Sequence, residues 1–377
     1  MAGLSCAWWL ARHGVTDFFV LELQSAAGGN SRAGEAAGTR FPWGAHYVPV
    51  PGPRAEWVRL LFEEMGVFAN GAWRETDLCA SPKERTFAYG RWREGLVEAV
   101  AAGARDHDEL RRFADRLSAL RATGEFTIPL ALGAREDSPL DRLTMDAWLR
   151  QEGFTGGALR WLADYSCRDD FGTSARDTSA WAALHYFAAR DGDDAGPLTW
   201  PEGNGRIARH LSRIAASHVT TAAPVRRDAV HGRGLRVTAG DRAWDCDAVI
   251  WAAPTFVGAR VVEGAPPVSW RYAPWLVVNL TLDRRPRAAP EDAPEAWDNV
   301  LADSRALGYV VATHQQLRAT PDQRAVWTWY WAACDDHPSA ARRRLLAMDW
   351  RACAEAALTD LERAHPDVRA CVSRVDA

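Results

Sequence analysis

Hydrophobic residues recur at helical spacing over positions 2–14. This stretch starts on small residues and stops on Gly14, which predicts a helix with a glycine C-cap. Positions 17–23 form a short apolar run rich in aromatic and β-branched residues and carrying the carboxylate of Glu22 near its end, which predicts a buried parallel strand. Amphipathic helices are predicted over 56–67, 106–121, 143–153, 159–167 and 179–190. The second places Leu110, Phe113, Ala114, Leu117 and Leu120 on one face, and the third has Thr144 as N-cap and Gly153 as its stop. Residues 85–96 predict a hairpin and 191–197 a loop.

A glycine-punctuated segment, 200–206, leads into a helix reaching Ala216, and strands follow over 218–225, 233–239 and 243–252. Beyond Trp270 the pattern changes to longer strands, 275–282, 307–313 and 325–332, and then to helices over 338–348 and 350–364. Trp327, Trp329 and Trp331 alternate and so share one strand face, with Tyr330 on the other. The pattern leaves open whether these tryptophans line a pocket or pack a core.

Composition narrows the function classes. The 377 residues allow two domains and a sizeable core, and 47% hydrophobic with 25% charged residues is an ordinary globular balance. A net charge of −4 argues against nucleic acid or an anionic membrane as partner. Seven scattered cysteines, odd in number and never spaced Cys-x-x-Cys, point to reduced thiols in the cytoplasm rather than a disulfide framework or zinc site. No apolar run approaches a membrane span. The 19 tryptophans suit both a core and an aromatic-walled pocket. Nearly all cations are Arg; Lys83 is the single lysine. His107, His314 and His337 lack ligand-spaced partners, and neither a Gly-x-Ser-x-Gly nor a Walker sequence occurs.

Three features follow one another at informative spacing: Ala2-Gly3-Leu4-Ser5 at a helix start, Glu22 at a strand end, and the Gly28-Gly29 pair with Arg32 behind it. In this order they resemble the flavin-containing amine oxidase and phytoene desaturase superfamily, whose members read Gly-x-Gly-x-x-Gly-Leu, strand-end Glu, then Gly-Gly and a basic residue. Two later segments resemble the same superfamily: Trp200 to Arg206 before a helix, and Asp247 to Pro254, an aspartate, an apolar run, small residues and Pro. The chain opens at the third glycine of the fingerprint and stops before the superfamily's closing Gly-rich motif, so the expected cofactor domain is incomplete within it.

The resemblance implies an α/β protein with a Rossmann-like FAD-binding domain, 1–55 and 197–262, and an inserted α+β substrate domain, 56–196 and 263–377. It implies FAD as cofactor and hydride transfer from a C–H or C–N bond of a small, partly apolar substrate to the flavin. Gly3, Gly28, Gly29 and Arg32 would face the pyrophosphate, Glu22 the adenosine ribose, and the backbone around Val225 the adenine. Asn30 stands where relatives often have Arg, and Arg32 would supply that charge from two residues on. Gly44 and Ala45 would pass close to the isoalloxazine, and His46 is a candidate acid or base titrating near neutrality. Many amine oxidases of the superfamily place a lysine near the flavin. The 275–282 strand has none, which argues against the classical form of amine oxidation.

Plainer readings stand beside these. The glycines also suit an ordinary βαβ unit, an NAD(P)-dependent dehydrogenase shares the first fingerprint, and an incomplete cofactor domain fits a non-catalytic remnant or binding protein. Arg168-Asp169-Asp170 suits either a polar substrate or a turn cap. His185 and Tyr186 lie on an apolar helix, where a lone histidine is usually a satisfied core residue.

Overall fold

The computed structural model describes residues 1–36, 38–101, 103–133, 137–190, 196–231, 234–317 and 323–377. Residues 191–195 of the expected loop and Arg233 at the head of an expected strand lie outside them. The chain separates into two compact units, one formed by 1–34, 42–45 and 202–271, the other by 35–41, 46–201 and 272–377.

In the first unit the Ala2–Arg12 helix buries Leu4, Ala7 and Trp8 and packs on the Gly205–Ile214 helix, which buries Ile207, Ala208 and Leu211. Gly14, at φ +74°, ends the first helix as its sequence position predicts. The strand expected over 17–23 shrinks to Val20–Leu21, which pairs in parallel with Val219–Thr220. It is half-buried rather than buried, and Phe19 and Leu23 are exposed. With one neighbouring strand, so short a segment cannot be enclosed on both sides. A three-stranded antiparallel sheet follows, Val225–His231, Gly234–Ala239 and Arg242–Cys246. Its last ladder stops at Cys246, so 247–252, expected to continue that strand, pairs into no ladder, and Ile250 is exposed.

The second unit is built on a seven-stranded sheet in the order Val372–Asp376, Trp275–Leu282, Ala325–Ala332, Gly308–Val311, Asp298–Leu301, Glu84–Ala88, Arg91–Glu94. All neighbours are antiparallel except Asp298–Leu301 beside Glu84–Ala88. The alternating pattern of 325–332 sorts side chains onto the sheet's two faces. Trp327, Trp329 and Trp331 enter a core shared with Ala357, Leu358 and Leu361 of the Trp350–Leu361 helix, so this set packs rather than lines a pocket. Trp329 Nε1 donates to Asp360 Oδ2 there at 2.9 Å. Tyr330 points to the opposite face, among Tyr165, Trp297 and Val310.

A separate helical core joins Ala104–Ala122, Met145–Gln151, Gly157–Phe171 and Ala180–Ala188. Thr144 caps its helix by accepting from Ala147 N at 3.2 Å. The strand expected over 307–313 ends at Val311, because Ala312–Gln316 winds into a 3₁₀ turn closed by Leu317 at φ +50°.

Candidate functional site

In the first unit, backbone hydrogen bonds assemble most of the expected cofactor residues. Gly28 and Gly29 take φ values of +126° and +57°, which non-glycine residues rarely adopt. Ser31 N donates to Gly28 O at 3.1 Å and Arg32 N to Gly29 O at 3.1 Å, closing the turn. A Cβ on Gly28 would lie 3.0 Å from Arg32 Cγ and 3.2 Å from Ala208 Cβ, so the turn sits against the Gly205–Ile214 helix. Ala45 N donates to Asn30 O at 3.2 Å and Trp43 N to Arg32 O at 3.1 Å. Gly44, Ala45, Gly28, Gly29 and Arg32 therefore form one cluster, in which a Cβ on Gly44 would stand 3.1 Å from Asn30 O. Arg32 Nε donates to Gly29 O at 3.3 Å, so this side chain folds back over its own turn.

Glu22 follows the Val20–Leu21 strand; its amide donates to Thr220 O, and its Oε1 accepts from Gln24 N, both at 2.9 Å. Gly3 lies in the first turn of the Ala2–Arg12 helix, where a Cβ would make ordinary contacts at 3.4 and 3.9 Å with Ala252 and Val20. Val225 is half-buried and opens its strand opposite Ala239, away from the Gly28–Ala45 cluster in sequence, and no backbone hydrogen bond among the described residues joins it to that cluster.

The second unit gathers ionisable groups on the Tyr330 face of its sheet. Tyr330 Oη donates to Asp298 Oδ1 at 3.2 Å. Asp298 stands opposite Glu84 in the parallel ladder. Burial, then the neighbouring Glu84, pushes the Asp298 carboxyl up to about 8. Burial followed by repulsion from Glu98 and Asp169 lifts Glu84 to about 7. Burial followed by repulsion from Asp298 and Asp170 lifts Asp169 to about 7. Tyr165 and Tyr330 are both raised by burial. At pH 7 Asp298 therefore holds its proton most of the time, while Glu84 and Asp169 sit near the middle of their titration and share charge and protons with it.

His46 lies in this unit, with its ring centroid 5.6 Å from that of Tyr330. Its Nδ1 is sealed from solvent and has no hydrogen-bond partner. Burial lowers its pKa to about 4, so the near-neutral titration expected of it is corrected: the ring is uncharged at pH 7. As a neutral imidazole it offers one donor and one acceptor.

Nearby in sequence, Tyr47 helps line a cavity of about 310 Å³ with Pro49, Ile128, Asp170, His185, Tyr186 and Arg190. Arg190 lies 3.9 Å above the Tyr186 ring, and its Nη2 is 3.5 Å from Asp170 Oδ1. His185 Nε2 meets Thr127 O at 2.9 Å, the satisfied role expected of a histidine on an apolar helix. Arg168 pairs with Asp164 at 3.0 Å, whereas Asp169 and Asp170 turn to the carboxyl cluster and the cavity, so the triplet divides its work. Glu84, Asp298, Tyr165 and Arg190 carry no spacing signal in the sequence, because strand register and helix facing bring them in.

A profile described as "Flavin containing amine oxidoreductase" matches residues 1–376. A protein of Mycobacterium tuberculosis (strain ATCC 25618 / H37Rv) named "Putative flavin-containing monoamine oxidase AofH" is 27% identical over 282 residues, covering 72% of this chain and 58% of that relative. The chain thus spans under two thirds of the length of the curated relatives it matches. Among solved structures, putrescine oxidase bound to putrescine is 17% identical with a TM-score of 0.69, over 99% of this chain and 81% of the other. Cyclohexylamine oxidase from Brevibacterium oxydans IH-35A is 15% identical with a TM-score of 0.70, over 100% and 81%. Both likenesses concern the fold, a Rossmann-like cofactor domain with an α+β substrate domain. With its profile match running almost from end to end, the chain belongs to the flavin-containing amine oxidoreductase family.

Proposed function

We propose that the chain is the working core of an FAD-dependent oxidoreductase that takes hydride from a C–H or C–N centre of a small, partly apolar substrate. The observation that carries this reading is the family match over residues 1–376. The residues present fit the cofactor: Gly28 and Gly44 are close-approach positions that a Cβ would crowd, at 3.0 and 3.1 Å from their nearest neighbours. The unit 1–34, 42–45 and 202–271 is then the FAD domain, and the remainder the substrate domain.

In this reading Gly3, with the amides of its helix start, and Gly28, Gly29 and Arg32 hold the pyrophosphate. Glu22 accepts from the ribose, the Val225 backbone meets the adenine, and Gly44 and Ala45 pass the flavin ring. When bound, FAD supplies the hydride acceptor. The chain's own task is placement and exclusion of water. Tyr47, Pro49, Ile128 and Tyr186 give the cavity apolar and aromatic walls, which suit a partly apolar substrate. His46, uncharged at neutral pH, serves as a hydrogen-bonding group and not as a charged acid. Asp298, joined to the Tyr330 hydroxyl, holds a proton at its carboxyl.

Amines are the first substrates to try, since the relatives' names carry monoamine, putrescine and cyclohexylamine. The lysine of classical amine oxidases has no counterpart in Trp275–Leu282 and is not part of this proposal. Among the described residues no helix is long and apolar enough to cross a membrane. Seven free cysteines support a reducing, cytoplasmic setting. Anaerobic mixing of the FAD-loaded chain with benzylamine, cyclohexylamine and putrescine tests the reading. Bleaching of the oxidised flavin bands by any of them supports amine oxidation; bound flavin that none of them bleaches removes amines from the proposal.

A further inference from the structure

Among the described residues that line the second unit's cavity, Arg190 is the one arginine or lysine. It follows the Ala180–Ala188 helix by two residues, and three neighbours fix its position. Its guanidinium carbon lies 3.9 Å above the Tyr186 ring. An N–H of Arg190 donates to the Tyr47 hydroxyl oxygen. Asp170 Oδ1 stands 3.5 Å from Nη2, close enough for attraction but beyond a good hydrogen bond. Stacking on an aromatic face leaves the in-plane edge of a guanidinium available, and that edge carries five N–H donors in all.

The lining of the same cavity also includes the apolar Pro49 and Ile128. Asp170 is a weakened counter-ion, because burial raises its pKa. Arg190 keeps its charge, as a guanidinium does at any ordinary pH, with the Asp170 carboxyl beside it. The result is a preorganised cation that shares the lining of a cavity of about 310 Å³ with hydrocarbon and aromatic side chains. A planar anion matches a guanidinium edge through two parallel charge-assisted hydrogen bonds, which a neutral or cationic group cannot make.

We propose that Arg190 anchors a carboxylate, so that the substrate is an acid with an apolar body whose anionic end sits between Arg190 and Tyr47. The assignment rests on the oxidoreductase reading in treating this cavity as the substrate pocket, but binding itself does not require turnover. In the occupied cavity the ligand carboxylate takes over the donors that Asp170 faces at 3.5 Å.

Isothermal titration of the full chain with FAD added, using 3-phenylpropionate, 3-phenylpropanamide and 3-phenylpropylamine, tests this directly. The three probes share a body and differ in the charge of one end. The acid is expected to bind about tenfold or more tighter than the amide, the scale of a charge-assisted hydrogen-bond pair. Arg190→Gln abolishes that preference, Arg190→Lys retains part of it, and Asp170→Asn strengthens acid binding. Circular dichroism of each variant separates lost binding from lost folding. Equal binding of acid and amide, preference for the amine, or failure of the acid to bind overturns the proposal. Flavin bands that do not stay with the protein count against the oxidoreductase reading instead, and the titration repeated without FAD still decides the anchor.

Discussion

Asp298 and Glu84 face each other across the parallel pair of strands Asp298–Leu301 and Glu84–Ala88, and Tyr330 donates its hydroxyl proton to Asp298 at 3.2 Å. Two carboxyls directly opposite in a ladder repel when both are ionised. Burial adds to this, and the pair resolves it by keeping protons, with Asp298 raised to about 8 and Glu84 to about 7.

The sign of the pH dependence follows. Asp298 in the unfolded chain titrates near the usual value of 3.8, and in the folded chain near 8. Between these values the folded state binds the extra proton, so this group's stabilising contribution is full below the lower value and is lost as pH rises to the upper one. His46 works the other way, because its depressed pKa of about 4 makes stability fall as pH drops below its usual 6.5. The clean observable is therefore a difference. The melting temperature of Asp298→Asn should rise relative to the unaltered chain as pH goes from 4 to 8, and level off above that. A difference independent of pH would show that Asp298 is ionised throughout.

Gly28 and Gly29 separate two meanings of a turn glycine. Both have positive φ, but only Gly28 has neighbours where a Cβ would go, whereas nothing lies within 4 Å of one at Gly29. Gly29→Ala should destabilise by about 1–2 kcal/mol from the left-handed backbone alone. Gly28→Ala should exceed it by on the order of 1 kcal/mol, through overpacking against Ala208. Urea denaturation of both variants checks the order.

Arg85 is a buried cation whose hydrogen-bond partners among the described residues are neutral. It donates to Asn299 Oδ1 at 2.6 Å, Ala293 O at 2.8 Å and Tyr309 Oη at 3.0 Å, and it lies 4.0 Å over Trp92. Arg85→Met keeps much of the volume and removes the charge-assisted bonds, so a loss on the order of 2–3 kcal/mol is expected in chemical denaturation. A neutral or stabilising outcome would mean that the desolvation of Arg85 outweighs its bonds.

Glu22→Gln tests the ribose assignment apart from folding. Gln keeps an oxygen for the Gln24 amide, now 2.9 Å from Oε1, but loses the charge and one acceptor. FAD affinity, followed by quenching of flavin fluorescence, should weaken about tenfold while the melting temperature without FAD stays unchanged.

Local signals in the chain were readable where a residue type has one physical use. The Thr144 cap, the Gly14 stop and the strands Trp275–Leu282 and Ala325–Ala332 all stand where the pattern places them. The half-buried Val20–Leu21 strand and the unladdered 247–252 run were not, because an apolar run says nothing of how many strands will flank it. The Gly28-Gly29 turn and its meeting with Gly44 and Ala45 occur as backbone geometry, while their contact with a cofactor is a proposal. The carboxyl cluster lay beyond reach, since pairing Asp298 with Glu84 depends on the register of strands more than two hundred residues apart. Trp329 shows the same limit: alternation found its face, and only packing against the Trp350–Leu361 helix distinguished core from pocket.

The central claim, that this chain holds FAD, is tested most directly by the near-ultraviolet and visible absorbance spectrum of the purified chain, taken after adding FAD and passing it through gel filtration. The account predicts two flavin bands that travel with the protein. A folded protein that emerges without them would contradict it.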